Sequence, residues 1–416
     1  MREQTLLRYL LSFCLIAATC LPFSGAASAA GIEVTSSTYL QTRENARDEK
    51  YTPLFEYLTL GFTDAAGGRL DFYAAGWVRY DLRTIRYDER ERDELTYAYL
   101  SYRPFQDRSL VVNAGRHMVF GGVASELFDG LSARWEISPR NGISVYGGVP
   151  VETEKDARRS DSLYGGRVYH RFGRTAEVGF SYLKEDNDGH SYREETGIDL
   201  WAFPARWIEV QGQSFYNMLT DGWFDHSYSL RLFPLKNLVV TGLYSYTNFN
   251  DAFSSTTLSA FSPDFWGKDE RMTKVGGTID YTIHPSVAVS ADFRTYDYKT
   301  MGNAAYYGAG IAATLFDIRT GLSLHRMEGD EEKLKYLESR AYAIKVIDRL
   351  KLAFDVINIH YDEAVSGLSN AYYLSGTAGY KLKDYATVWF NLEYGKTPDY
   401  RYDLRGLFRL AIAFKK

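Results

Sequence analysis

The sequence has little cysteine, little proline and, beyond its first thirty residues, no long apolar run. Its two cysteines are Cys14 and Cys20, so loss of the N-terminal segment would leave no disulfide, thiolate metal site or covalent c-type haem attachment. No later stretch reaches the roughly 18 to 20 apolar residues that a transmembrane helix needs. If the chain crosses a membrane, it must form a closed barrel, because only helices and closed barrels satisfy every backbone group in lipid.

The N-terminal segment has the pattern of a secretory signal peptide. Two arginines precede a largely apolar stretch over residues 10–23, and small residues at 27–29 precede a cleavage site. The stretch is too short for a spanning helix, although an uncleaved interfacial anchor is an alternative. We predict a cleaved signal peptide over residues 1–30 and one domain over residues 31–416.

Aromatic residues are abundant, and apolar and polar residues alternate with a period of two. Aromatic residues make up 16% of the chain, with 34 Tyr, and the net charge of -5 is too mild to indicate a nucleic-acid partner. Residues 70–83 alternate between an apolar and a more polar face for fourteen residues, and similar segments recur to the C-terminus. A tilted strand that crosses a membrane needs about 9 to 11 residues. The pattern predicts membrane strands.

The connections between these segments alternate between short and long. Short ones include Ala65–Gly68, Ser138–Asn141 and His284–Ser286, and longer polar ones include Arg43–Lys50, Arg86–Glu94, Glu152–Ser162 and Asp186–Tyr192. Outer-membrane barrels have tight periplasmic turns and longer extracellular loops. We therefore predict an all-β, antiparallel, up-and-down transmembrane barrel of about 22 strands (20–24) without a plug domain. Lys333–Ile347 and Leu350–Tyr361 are the least regular segments.

Charged residues on the polar faces are candidates for the lining of a pore. A lipid-facing Arg or Lys at mid-membrane costs roughly 2 to 4 kcal/mol, so these side chains should face the lumen. There they either tune selectivity or pair across strands; since both signs occur in similar number, we predict no strong ion selectivity. The predicted lumen residues are Arg79, Asp199, Glu209, Arg231, Asp280, Asp292, Arg294, Arg319, Glu393, Arg405 and Arg409.

Nothing in the sequence indicates catalysis. The seven histidines form no H-x-H, HExxH or His-plus-Cys pattern and are scattered over turns, loops and both strand faces. Metal or nucleophilic chemistry needs a convergence of ligands or bases that the pattern does not show. We predict no catalytic residue, no metal site and no cofactor, and hence no enzyme.

One segment resembles a known family. It reads AGRHMVFGG, then LFDGLSARWEIS, then GISVYGG, and it resembles the Gly-Arg-Gln…Gly and Asp-Gly stretches of large porin-like barrels, including alginate-export-type channels. His117 stands where that family usually has Gln, while Phe128-Asp129-Gly130 matches the second stretch. The resemblance covers about a tenth of the chain. It implies a wide channel in which Arg116 faces the lumen near a constriction.

These observations favour an outer-membrane porin of a Gram-negative bacterium that conducts ions or small solutes. A loop over residues 250–269 is the candidate constriction, although it fits a surface loop equally well. The alternative function is the sheath of a porin–cytochrome complex, with a multihaem c-type cytochrome inside the barrel as its partner. A structural or adhesive barrel is a third reading. Plugged iron transporters are disfavoured, because alternation begins at Ile32, directly after the signal peptide.

Overall fold

The computed structural model describes residues 31–44, 50–83, 92–151, 161–252, 270–398 and 402–415. Nearly all of these residues belong to β-strands. The exceptions with regular structure are the helical turns Ala65–Gly68 and Phe249–Ala252 and the 3-10 turn Glu332–Leu334. No helix in the described ranges is long and apolar enough to cross a membrane. The predicted all-β class is confirmed.

The chain forms 22 wall strands, because the two-residue segment Lys50–Tyr51 and Pro53–Asp64 are parts of one strand, interrupted at Thr52. In chain order the strands are β1 (Gly31–Glu44), β2 (Lys50–Tyr51 and Pro53–Asp64), β3 (Leu70–Asp81), β4 (Asp93–Tyr102), β5 (Leu110–Gly121), β6 (Ala124–Glu136), β7 (Asn141–Pro150), β8 (Ser162–Phe172), β9 (Ala176–Asn187), β10 (His190–Ala205), β11 (Ile208–Asn217), β12 (Gly222–Leu235), β13 (Leu238–Asn248), β14 (Arg271–His284), β15 (Val287–Tyr298), β16 (Gly302–Leu315), β17 (Ile318–Gly329), β18 (Tyr336–Ile347), β19 (Leu350–Val365), β20 (Leu368–Lys383), β21 (Ala386–Lys396) and β22 (Asp403–Lys415).

Each strand pairs antiparallel with the next, and β1 closes the sheet against β22. Ten Cα pairs join these two strands, from Glu33 with Lys415 to Thr42 with Gly406. The start of β1 and the end of β22 therefore lie at one rim, which we call the terminal rim; the opposite edge is the loop rim. The predicted closed, up-and-down, 22-stranded barrel is confirmed.

One expectation about connections needs correction. The stretch from Asp186 to Tyr192 is no loop, because β9 and β10 run through it and turn on Asp188 and Gly189 alone. Both turn residues have positive φ, 51° and 78°, as in the type I′ turns that suit the twist of hairpin strands. The two segments with the least regular alternation, Lys333–Ile347 and Leu350–Tyr361, contain the strands β18 and β19.

The two faces of the wall differ in polarity. Register partners on adjacent strands point to the same face, and on one face side chains reach the second strand along: Arg167 of β8 bonds Asp199 of β10 across Gly179. Such reach is possible on the concave side of a curved sheet. The other face carries Phe180, Phe293 and similar apolar side chains that are about half exposed. An apolar outer band around a polar interior is how transmembrane barrels meet lipid.

Candidate functional site

The β5–β6 hairpin leaves the barrel wall halfway along its length. Pairing of β5 with β4 stops at Arg116 with Ala98, although β4 continues for five more residues towards the loop rim. Pairing of β6 with β7 stops at Phe128 with Pro150. Residues 116–129 pair mainly with each other. We call residues 116–129 the infolded hairpin.

A row of three glycines lies where the hairpin leaves the wall. Gly115, Gly130 and Gly148 are register partners on β5, β6 and β7. A Cβ on Gly130 would lie 2.2 Å from the Gly147 carbonyl oxygen, and a Cβ on Gly115 would lie 2.3 Å from that of Ala98. Gly115 also has a φ of +117°, which L side chains rarely adopt. Glycine therefore permits both the close approach and the bend.

The tip of the hairpin packs on the concave face of strands that are not its neighbours. The Val123 amide donates a hydrogen bond to Ser181 Oγ of β9 at 3.0 Å. Phe128 is fully buried, in one apolar cluster with Val123, Leu163 of β8 and Leu183 of β9. Since β9 is three strands from β6, the hairpin must fold over the inner wall. It occupies part of the lumen.

Ion pairs fasten the hairpin to this wall. Glu126 of the hairpin accepts a hydrogen bond from Arg193 Nη1 of β10 at 2.5 Å. The same guanidinium donates to both oxygens of Glu195, at 2.6 and 2.8 Å, and Glu195 is 2% exposed. Because charge-assisted bidentate bonds are among the stronger and more directional ones, this cluster fixes where the hairpin lies.

Other arginines on the wall beneath the hairpin are also doubly paired. Arg167 binds Asp199 and Glu177, the latter at 2.8 Å. Arg171 binds the same Glu177 at 2.8 Å and Glu136 at 2.9 Å. Two guanidinium groups thus face three carboxylates, so each arginine charge is neutralised and the cluster keeps one negative charge.

At the base of the hairpin, neighbouring residues point to opposite faces. His117 is 2% exposed; its Nδ1 donates to the Gly115 carbonyl at 2.8 Å, since a carbonyl can only accept, and its Nε2 lies 2.7 Å from Ser132 Oγ. Arg116 holds Asp129 through two bonds of 2.8 Å and donates to the Leu95 carbonyl of β4 at 3.0 Å. Arg116 thus bridges the hairpin to the strand from which it separates.

The register shows where the predicted lumen residues lie. One row joins Arg409 to Tyr39, Phe55 and Arg79 across the barrel seam, and rows of the same kind join the others. All but Arg116 share the concave face: Arg79, Asp199, Glu209, Arg231, Asp280, Asp292, Arg294, Arg319, Glu393, Arg405 and Arg409.

Arg116 differs, because its register row belongs to the opposite face. It is the last residue of β5 that pairs with β4, at the point where the hairpin leaves the wall. For Arg116 as for the other residues, a role in lining a pore stays a prediction.

Several of these residues are paired, as one reading of the sequence expected. Arg231 pairs with Glu209 at 3.1 Å, and His325 Nε2 lies 2.8 Å from Asp292. By contrast, no ion pair is found for Arg319 within the described ranges. These two pairs connect neighbouring or next-neighbouring strands, so they lie along the wall.

The infolded hairpin was not predicted from the sequence. The candidate constriction, residues 250–269, lies outside the described residues from position 253 onward, where the structure gives no test. The segments that make the hairpin are nevertheless those that carried the family resemblance. In the described ranges, no group of three or more His, Cys, Asp or Glu residues could hold a metal ion.

Comparison with known proteins shows similarity only in the fold of the barrel as a whole. No protein-family model and no curated protein matches the sequence. Crystal structures similar to this one include Acinetobacter baumannii OccAB2 (12% identity, 94% of this chain and 98% of that one, TM-score 0.49), Acinetobacter baumannii OccAB4 (12%, 94% and 99%, 0.46) and Pseudomonas aeruginosa OpdK with vanillate (9%, 94% and 100%, 0.48). These identities and TM-scores do not assign the chain to a particular channel family.

Proposed function

We propose that the protein is an outer-membrane channel that conducts ions or small solutes through the barrel lumen. The observation that carries this proposal is the closed 22-stranded wall with an apolar convex face and a concave face rich in charged and polar side chains. No plug domain lies among the described residues. Barrels this wide leave room for an aqueous path unless something fills them.

In this proposal the infolded hairpin narrows the path. It lies across the inner face of β7 to β10, held by Phe128, by Val123 and by the Glu126–Arg193 pair. The terminal rim, where β1 begins and β22 ends, would face the periplasm, as in bacterial single-chain barrels. Solutes would therefore pass beside the hairpin.

The test is a planar-bilayer recording of the protein purified in detergent, with a visible spectrum of the same sample. We expect stable open conductance from colourless protein, and compact migration of the unheated form on a gel. Absence of conductance from correctly folded protein would contradict the channel. A haem Soret band in stoichiometric amount would instead support the sheath of a porin–cytochrome complex, for which the structure offers no specific observation.

Export by a cleaved signal peptide is part of the proposal. Residues 1–30 lie outside the described residues, and the first strand begins at Gly31, where the sequence pattern places cleavage. The intact mass of protein isolated from outer membranes should correspond to a chain that starts at Ala30 or Gly31. A mass that includes residues 1–30 would favour the uncleaved anchor.

A further inference from the structure

A second luminal feature lies beside the hairpin wall, on the concave face of β10 to β14. Two adjacent rows of register partners cross these five strands. The first row consists of Asp199, Gln213, Ser227, Ser245 and Lys274, and the second consists of Trp201, Gln211, Ser229, Leu243 and Gly276. All of these residues except Gly276 line a groove of about 490 Å³, within the usual range of about 300 to 1,000 Å³ for small-molecule sites. We call these two rows the polar track.

The polar track runs obliquely across the wall, from the terminal rim towards the loop rim. Trp201 lies near the terminal-rim end of β10 (His190–Ala205), whereas Lys274 lies near the loop-rim end of β14 (Arg271–His284). This follows from strand tilt, because a row perpendicular to tilted strands rises as it crosses them. A solute that moves along the track would keep contact with the wall over much of the length of the barrel.

The side chains of the track have hydrogen-bonding capacity that the fold leaves unused. Within the described ranges no partner is found for the side chains of Gln211, Ser227 and Ser245, and Ser229 Oγ is buried without a hydrogen bond. Gln213 makes one long bond of 3.3 Å, to Asp225. Because Gln211 and Ser227 are exposed in the groove, water or a solute can supply their partners, and the buried Ser229 Oγ also needs one.

Most side chains of the polar track are uncharged. Amide and hydroxyl groups both donate and accept, and Trp201, which is 40% exposed, adds an apolar ring face. Asp199 at one end is already bound by Arg167, which leaves Lys274 as the one cation of the two rows without a partner in the described part of the chain. A track for anions would need a series of such cations.

We propose that the polar track binds neutral polyhydroxylated solutes, the class of mono- and oligosaccharides, and guides them through the lumen. Their hydroxyl groups match the amides and serines, and their C–H faces match the ring of Trp201. This inference rests on the proposed channel function and specifies what the channel prefers.

The test uses the full-length protein in a planar bilayer with maltotriose as the probe. Maltotriose should reduce the ion current in a saturable way, whereas gluconate at the same concentration should not. Gln211→Ala should raise the half-blocking concentration about fivefold, as expected for losing one or two hydrogen bonds. Trp201→Ala should raise it about tenfold, because a large contact face is lost as well.

Gln41→Ala is the matched control. Gln41 lies on the concave face of β1, ten strands from β11 and therefore almost opposite Gln211; its replacement should leave the half-blocking concentration unchanged. Gel mobility of unheated samples verifies that each variant is folded. Open conductance without saturable block, or an equal loss in Gln41→Ala and Gln211→Ala, would overturn the track and leave the channel intact. A folded barrel without any conductance would overturn the channel itself and the track with it.

Discussion

Two regions of the inner wall, the one beneath the infolded hairpin and the polar track, differ in whether their polar side chains have partners within the protein. Beneath the infolded hairpin, Arg167, Arg171 and Arg193 each hold two carboxylates. On the track, Gln211 and Ser229 hold nothing within the described ranges. Saturated groups fix a structural element in place, and unsaturated groups remain for a solute. In the channel that we propose, the first region would set the width of the path, and the second would set which solutes it prefers.

The largest effect is expected from a substitution in the row of three glycines where the hairpin leaves the wall. Gly130→Val would place side-chain atoms where a Cβ alone already lies 2.2 Å from the Gly147 carbonyl, so we expect little folded barrel in the membrane. Gly376→Val is the control, because nothing lies within 4 Å of the corresponding Cβ and valine suits a strand. The measurement is the fraction of protein that migrates compactly without heating. Equal yields of the two variants would show that the bend does not depend on glycine.

Removing the main apolar contact of the hairpin should have the next largest effect. Phe128→Ala empties a fully buried position, and such truncations lower the free energy of unfolding by about 3 to 5 kcal/mol. If the hairpin also undocks, the channel current should become larger and noisier. Urea unfolding followed by tryptophan fluorescence measures the first quantity, and bilayer recording measures the second.

The control for this change is Phe390→Ala on the convex face, where Phe390 is 51% exposed. Lipid can fill the space that the ring vacates, so the loss should be smaller and the current unchanged. A larger loss in Phe390→Ala than in Phe128→Ala would contradict the docking of the hairpin.

The sequence predicted the wall well because the wall obeys a local rule. Alternation with a period of two placed Asp292, Arg319 and Arg409 on the same face, and in the register of the described strands these three residues share a face. The Asp188-Gly189 turn could also have been predicted from the sequence, since Asp-Gly is a strong hairpin signal. Its polar neighbours were interpreted instead as part of a longer loop.

The hairpin could not be predicted in this way, because alternation continues unchanged through it. His117 and Met118 alternate in burial as they would in the wall, with Met118 exposed and His117 buried. What differs is the partner of each strand, and the row formed by Gly115, Gly130 and Gly148 becomes visible only once the register of three strands is known. Pairing of distant segments, not residue pattern, decides where a strand leaves the sheet.

The ion pairs allow a sharper comparison of the two walls. Arg193→Met leaves Glu126 and the buried Glu195 without their cation, and breaking such a pair typically lowers the free energy of unfolding by about 3 to 5 kcal/mol. Arg340→Met is the control, because the Arg340–Asp355 pair is exposed to the lumen and exposed pairs contribute about 0 to 1 kcal/mol. Urea unfolding at two salt concentrations measures both. Similar losses of unfolding free energy in the two variants would mean that water reaches the Arg193 ion pairs as readily as the Arg340–Asp355 pair.

The smallest expected effect concerns a single hydrogen bond. Ser181 accepts the Val123 amide at 3.0 Å and is 1% exposed. Ser181→Ala therefore leaves a buried N–H group without a partner, which lowers the free energy of unfolding by about 1 to 3 kcal/mol. Ser323→Ala on the open concave face should change it by less than about 0.5 kcal/mol, because water replaces the hydroxyl. If the hairpin tip is held mainly by apolar packing, the two serine variants will unfold at the same urea concentration. If the hydrogen bond of the Val123 amide fixes the tip, Ser181→Ala alone will unfold at a lower urea concentration. It will also add slow current fluctuations to the bilayer recording, because a loosened tip moves within the lumen.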